Sequence, residues 1–194
     1  MINGYATLQQ YKDYQRITTT DVTDDSFIET AIEAASRWID RESGTRFYTA
    51  TETRLYDTPK KNRLLLDAHF TAITSVVNGD GTTLAASGYV TLPANSVPLY
   101  GIELKTTTGT AWLETNGNHL QAISVTGTVG YSSIPPKDVY LACLEIAKAL
   151  YSRRFGENMT TKTVITNAGV VQIPEGVPDM AAMTIANYRR LGFA

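Results

Sequence analysis

The side chains able to do chemistry are few in this sequence, and they are scattered. His69 and His119 are the only histidines and stand about fifty residues apart, each without the close His or Cys neighbour of a zinc site. Cys143 is the single cysteine, so it forms no internal disulfide, and its place in an apolar stripe makes it a small buried hydrophobe. A serine nucleophile calls for a GxSxG elbow or an equivalent local signature, and none is present. Phosphate-cradling GxxxxGKS/T and GxGxxG loops are missing too. Asp24 and Asp25 are adjacent carboxylates, but they open a helix and read as capping and solvation. Asn78, Asp80 and Gly81 faintly resemble a calcium loop, yet Val76 stands where an earlier acidic ligand belongs, so the stretch reads as a turn. These residues point away from an enzyme and towards binding or assembly, with no metal and no cofactor.

Two long helices bracket most of these positions. Residues 24–43 carry Ile28, Ala31, Ile32, Ala35, Trp38 and Ile39 at three-and-four spacing, with acidic residues first and Gly44 last. Residues 136–155 repeat the pattern with Val139, Cys143, Ile146, Ala147 and Leu150; Pro136 opens the helix, Arg153 and Arg154 close it, and Gly156 stops it. Ala142, Ala147 and Ala149 leave room for a neighbouring helix. The expected scaffold is therefore Ile28, Ile32, Ala35, Trp38 and Ile39 against Val139, Cys143, Ile146 and Leu150. A shorter helix over 6–16 precedes them, with Leu8, Tyr11 and Tyr14 on one side.

From Tyr48 the pattern changes to period two. TETRLYD, NRLLLD, AITSVVN, GYVTL, YGIELKT and HLQAISVTGTVGY are strand candidates, and NGDGTTL is a hairpin turn in which Asp80-Gly81 takes positive φ. After the second long helix, Val164-Ile165 and Val170, Val171 and Ile173 flank Asn167-Ala168-Gly169. That segment is either a hairpin on the body or an extended arm awaiting another subunit's sheet edge. A short helix with Pro178 near its start and Gly192 near its end closes the sequence. The expected fold class is α+β. Residues 1–47 and 132–194 form a small helical bundle, interrupted by an inserted antiparallel sheet or barrel over 48–131, with a possible mobile arm at 156–177.

Composition narrows the setting. The 194 residues are 43% hydrophobic and 19% charged with a net charge of −2, as in folded globular proteins without a nucleic-acid-binding charge excess. The clusters Lys60, Lys61 and Arg63, Arg153 with Arg154, and Arg189 with Arg190 read as solvated turns or helix ends. No stretch approaches a membrane span, the first residues lack a signal peptide's apolar core, and the expected site of synthesis is a reducing cytoplasm.

The order of segments is informative in itself. YATLQQYKDYQRI followed by DDSFIETAIEAASRWIDRESGTRF resembles the opening of tailed-phage head–tail connector (adaptor) proteins, through Tyr5, Leu8, Lys12, Asp24, Asp25, Ile28, Ile32, Ala34, Ala35, Ile39, Gly44, Arg46 and Phe47. TSVVNGDGTTL with GYV looks like the β insertion of the longer adaptors. The later helix is similar at Gly130, Tyr131, Pro135, Ala142, Ala147, Tyr151 and Arg154, and the ending at Tyr188 and Arg189. The resemblance spans nearly the whole chain, except 159–177.

This resemblance implies a structural virion protein of the neck, at the capsid vertex, assembled in the host bacterial cytoplasm. Its partners would be the portal protein, neighbouring copies in a ring usually of twelve, and a stopper or tail-completion protein, with DNA passing through without specific binding and no membrane involved. Within that reading, Val164, Ile165, Val170, Val171 and Ile173 are candidate ring contacts, and Tyr188, Arg189 and Arg190 candidate partner contacts. A stopper or tail-completion protein is the near alternative. A carbohydrate- or protein-binding β module is the distant one, and predicts an exposed aromatic platform among Tyr48, Tyr56, Tyr89, Tyr100 and Trp112. A hydrolase would need His69 or His119 to share a pocket with acidic partners.

Overall fold

The computed structural model describes residues 3–154, 161–166, 169–174 and 177–189, the segments between 161 and 174 as backbone only. The chain divides into two compact units: 1–45 with 135–194, and 46–134.

The first unit is helical. α1 (Leu8–Gln15) opens with a capping box, in which the Thr7 hydroxyl accepts the Gln10 N–H and the Gln10 side chain accepts the Thr7 N–H. It buries Tyr11 and Lys12, whereas Tyr14, expected on the packed side, is exposed. The lysine goes inside because the Asp25 carboxylate lies 2.5 Å from its Nζ. α2 (Asp25–Ser43) buries Ile28, Ala31, Ile32, Ala35 and Ile39, and Gly44 ends it at φ 63°. α3 (Lys137–Arg154) answers with Val139, Ala142, Cys143, Ile146 and Ala147.

Small residues let these two helices approach closely. The Ser36 hydroxyl donates to Ile32 O at 2.8 Å, accepts the Tyr5 N–H at 3.0 Å and lies 3.5 Å from Cys143 Sγ. Burial of each large aliphatic side chain at this seam stabilises by about 1.5–3 kcal/mol. Trp38 and Leu150 are only half-buried, so the expected scaffold stripe is wider than the packed seam. The helix pair runs antiparallel, since the start of α2 meets the end of α3 and the middles meet at Ser36 and Cys143.

The second unit is a five-stranded antiparallel sheet, not a closed barrel, made by β1 (Ala50–Tyr56), β2 (Arg63–Val77), β3 (Tyr89–Leu92), β4 (Leu99–Leu104) and β5 (Ile123–Val129) in the order β1-β5-β2-β4-β3. NRLLLD and AITSVVN, expected as two strands, are one. No Gly or Pro interrupts Arg63–Val77, and register shifts bend the strand so that its first half pairs with β4 and its second with β5. Inside the curve lie Tyr56, Leu64, Leu66, Phe70, Val76, Ile102, Trp112, Ile123 and Val125. The NGDGTTL turn forms with Gly81 at φ 83°, but its far side contributes one isolated bridge, Val77 to Thr83, rather than a strand.

Back in the helical unit, β6 (Thr161–Thr166) and β7 (Gly169–Pro174) pair antiparallel with each other, a pairing compatible with both arrangements open for this segment. Its expected turn residues Asn167 and Ala168, and the Gly156 helix stop, lie outside the described residues. α4 (Asp179–Ala186) follows Pro178 and buries Ala181 and Ile185.

The bend in β2 brings backbone against backbone. A Cβ added at Gly127 would stand 2.2 Å from Ala72 O and 3.0 Å from the Phe70 ring. Gly127→Ala is expected to cost about 1–3 kcal/mol through the forced separation of β5 from β2; urea titration of the purified variant checks this.

Candidate functional site

Within each unit, several of the residues that carried the sequence resemblance touch one another. Asp24 precedes α2, yet its carboxylate makes no cap. It accepts instead from the Tyr151 hydroxyl at 2.8 Å and from Arg154 Nη1 at 2.9 Å, both in the last turn of α3. The Arg154 guanidinium also covers the Phe27 ring at 4.7 Å. Asp25 pairs with buried Lys12. The two carboxylates expected to cap and solvate are therefore clamps, because each finds a cation or hydroxyl from a neighbouring helix.

A second clamp closes the sheet unit on itself. The Tyr131 N–H donates to Arg46 O at 2.8 Å, and Arg46 Nη2 donates to Val129 O at 2.9 Å. Arg46 Nη1 lies 2.5 Å from Glu52, which Arg54 also contacts. The hydrogen bond from Arg46, then the neighbouring positive charge, hold the Glu52 carboxyl below its usual range. Phe47 and Tyr131 stack at 5.3 Å, and Gly130, at φ 143°, lies where a Cβ would stand 2.2 Å from Tyr48 O. This explains why Arg46-x and Gly130-Tyr131 belong to one pattern: they are the two ends of a single closure.

Near the end of the chain, the Tyr188 hydroxyl donates to the Asp138 carboxylate at 2.8 Å, and Arg189 Nε donates to Glu42 O at 3.3 Å. These two expected partner contacts thus have partners within their own unit. Arg190 lies outside the described residues, as do the side chains of Val164, Ile165, Val170, Val171 and Ile173.

The described side chains do not gather into a reaction centre. The His69 ring packs edge-on against Tyr131 at 5.6 Å, while exposed His119 gives its carbonyl to the Thr58 N–H. Asn78 spends its side chain on backbone, accepting from Leu113 N at 2.9 Å and Gly79 N at 3.1 Å and donating to Ala111 O at 2.9 Å. Burial pushes the Cys143 thiol up to about 11, so it stays protonated near neutrality. Among the aromatics proposed as a platform, Tyr56 and Trp112 are buried in the sheet core and Tyr89 packs against it. Among the described residues no cluster of His, Cys, Asp or Glu could hold a metal ion, and no helix is long and apolar enough to cross a membrane.

What the helical unit does offer is surface. A groove of about 370 Å³ runs along α2 and α3, floored by Trp38, Ile146 and Leu150 and edged by Arg37, Arg41 and Arg153. Sequence reasoning counted Trp38 and Leu150 as scaffold and missed the groove, whose only advance signal was arginines flanking the apolar stripe.

The structure is thus a helical unit split in sequence by an open antiparallel sheet unit. The chain belongs to the head completion protein family, whose sequence profile matches residues 5–191. Solved structures with a similar fold include a chain in the neck of an empty GTA particle with C6 symmetry, at 14% identity and a TM-score of 0.60, covering 98% of this chain and 92% of that one. A chain of the native gene transfer agent virion is 15% identical with a TM-score of 0.59, covering 100% and 93%. One from the neck of the native particle with C12 symmetry is 16% identical with a TM-score of 0.54, covering 96% and 90%. No curated protein matches the sequence.

Asp24 holds two groups at once, so Asp24→Ala is expected to destabilise by about 1.5–3 kcal/mol, as for hydrogen bonds to a charged group. Tyr151→Phe is expected to cost less, and the double variant less than the sum, by about 0.5 kcal/mol or more. Chemical denaturation of the four proteins closes this cycle, and strict additivity would break the clamp.

Proposed function

We propose that this protein is a head–tail adaptor: a structural component of the virion neck that forms a ring beneath the portal and extends the DNA channel towards the tail. The observation that carries this reading is membership of the head completion family over 5–191. The likeness of fold to chains in GTA necks, over nearly the full length of both partners, supports the same location.

In this reading the helical unit supplies the contacts to portal and neighbouring copies, and the inserted sheet contacts neighbours or a later tail component. The β6–β7 hairpin is the ring-contact element. Its six-residue strands pair only with each other among the described residues, and an isolated two-stranded hairpin is marginal in water. Addition to a neighbour's sheet edge satisfies its free backbone groups through Val164–Ile165 and Val170–Ile173. Half-buried Tyr188 and exposed Arg189, held by Asp138 and Glu42, are the partner contacts of this unit. The net charge of −2 suits a channel that passes DNA without gripping it.

Gradient sedimentation with the portal ring from the same genome tests this, with the protein alone alongside. Co-migration at about one copy per portal subunit is the expected result, lost on deletion of residues 160–173 while the helical circular dichroism is retained. Absence of co-migration across a salt series, with binding instead to an adaptor–portal complex supplied from a relative, would move the protein one layer down, to a stopper.

A further inference from the structure

The turn before α2 holds an apolar side chain out into solvent. Val22 is 67% exposed, and Asp21 beside it is exposed as well. The turn is nevertheless rigidly held. Lys12, only 3% exposed, donates from Nζ to Asp21 O at 2.6 Å while pairing with Asp25, and the Asp21 carboxylate accepts the Thr23 N–H at 3.1 Å. Burying a lysine carries a desolvation penalty, which the Asp25 carboxylate and the Asp21 carbonyl offset here. The result is a turn that presents a carboxylate and a valine outward.

The groove on the same unit has the complementary character. Among the described residues it is lined by Ala34, Trp38, Ile146, Leu150 and Val177 with Arg37, Arg41 and Arg153, and none of these is a carboxylate, although Asp40 pairs with Arg37 at 3.2 Å. Arg41 is 71% exposed, and its ion pair with Glu42 is long at 3.8 Å. An apolar floor with an arginine rim suits a short apolar anchor flanked by acid rather than a bare phosphate backbone.

We infer that the Asp21–Val22 turn of one copy docks in the Trp38 groove of the next. The turn cannot fill its own groove at the Arg41 end, because α2 carries Arg41 about 24 Å beyond the helix start at 1.5 Å per residue. Two different patches on one chain make a head-to-tail contact, and repeating it closes a ring when the rotation allows. This contact deepens the ring assignment above and rests on it; the buried Lys12 then acts as the positioning residue of the interface, holding the knob ready and lowering the ordering cost of association.

The test uses the full chain assembled on portal. Val22→Cys and Arg41→Cys in one chain, treated with a short bis-maleimide, are expected to give a ladder of dimers, trimers and higher species on denaturing gels. Either single variant gives no ladder, and Cys143 stays silent because it is buried. In parallel, Asp21→Arg and Arg41→Asp alone are each expected to weaken assembly at least tenfold, and the pair together to recover most of it. Rings that form without a ladder, or an Arg41→Asp protein that assembles like wild type, would overturn the contact while leaving the adaptor role standing, and would give the groove to a portal or tail segment. Failure of the wild-type protein to form rings on portal would end both.

Discussion

The packing of α2 against α3 is favoured by a closure between Arg46 and Tyr131, which flank the two helices in sequence. The two helices are separated by the whole sheet unit, residues 46–134. Left as a flexible loop of that length, the insertion would oppose the helix pairing by an entropy that grows with the logarithm of its length, about 2–3 kcal/mol more than a short connection. The sheet unit removes this by folding its own ends together: Arg46 and Tyr131 are hydrogen-bonded at 2.8 Å, with Arg46 also holding Val129 and Phe47 stacked on Tyr131. Once that closure exists, the helices meet as though joined by a short connection, and Asp24 takes Tyr151 and Arg154 to lock the far end. The polar residues of the chain's most distinctive segments are thereby used up inside the fold.

That use has a consequence for function. Among the described residues Asp24 and Asp25 are clamped, the buried thiol stays protonated and the His69 ring packs against Tyr131. What remains outward is shape and charge: an arginine-edged apolar groove, a pinned acidic turn and a hairpin whose strands pair only with each other. These suit a protein whose work is to hold neighbours in register.

Much of the helical unit was legible in the sequence. Three-and-four spacing marked α2 and α3, Gly44 marked a left-handed stop, and the stripe position of Cys143 marked its burial. Periodicity did not reveal the burial of Lys12 or the exposure of Tyr14, because a charge goes inside only when a partner such as Asp25 stands beside it, and that is a tertiary fact. Likewise NRLLLD and AITSVVN looked like two strands, since alternation cannot show that a bend rather than a turn joins them. The candidate surfaces were legible only in part: the hairpin's β-prone runs were visible, whereas Trp38 and Leu150 follow the core pattern and only packing shows them left over. Tyr188 and Arg189 have the residue types of an interface but are engaged by Asp138 and Glu42.

In the proposed assembly the helical unit carries its docking elements at its margins and its α2–α3 seam is already complete in the free protein. Hydrogen exchange on the free protein and on the portal-bound ring tests it most directly. The account predicts new protection at amides of the 18–23 turn and of the β6 and β7 strands, with the protection of α2 and α3 interior amides unchanged. Gains of protection spread through the interior of α2 and α3, with the turn and strands unaffected, would show that assembly completes the fold rather than using it, and would contradict the account.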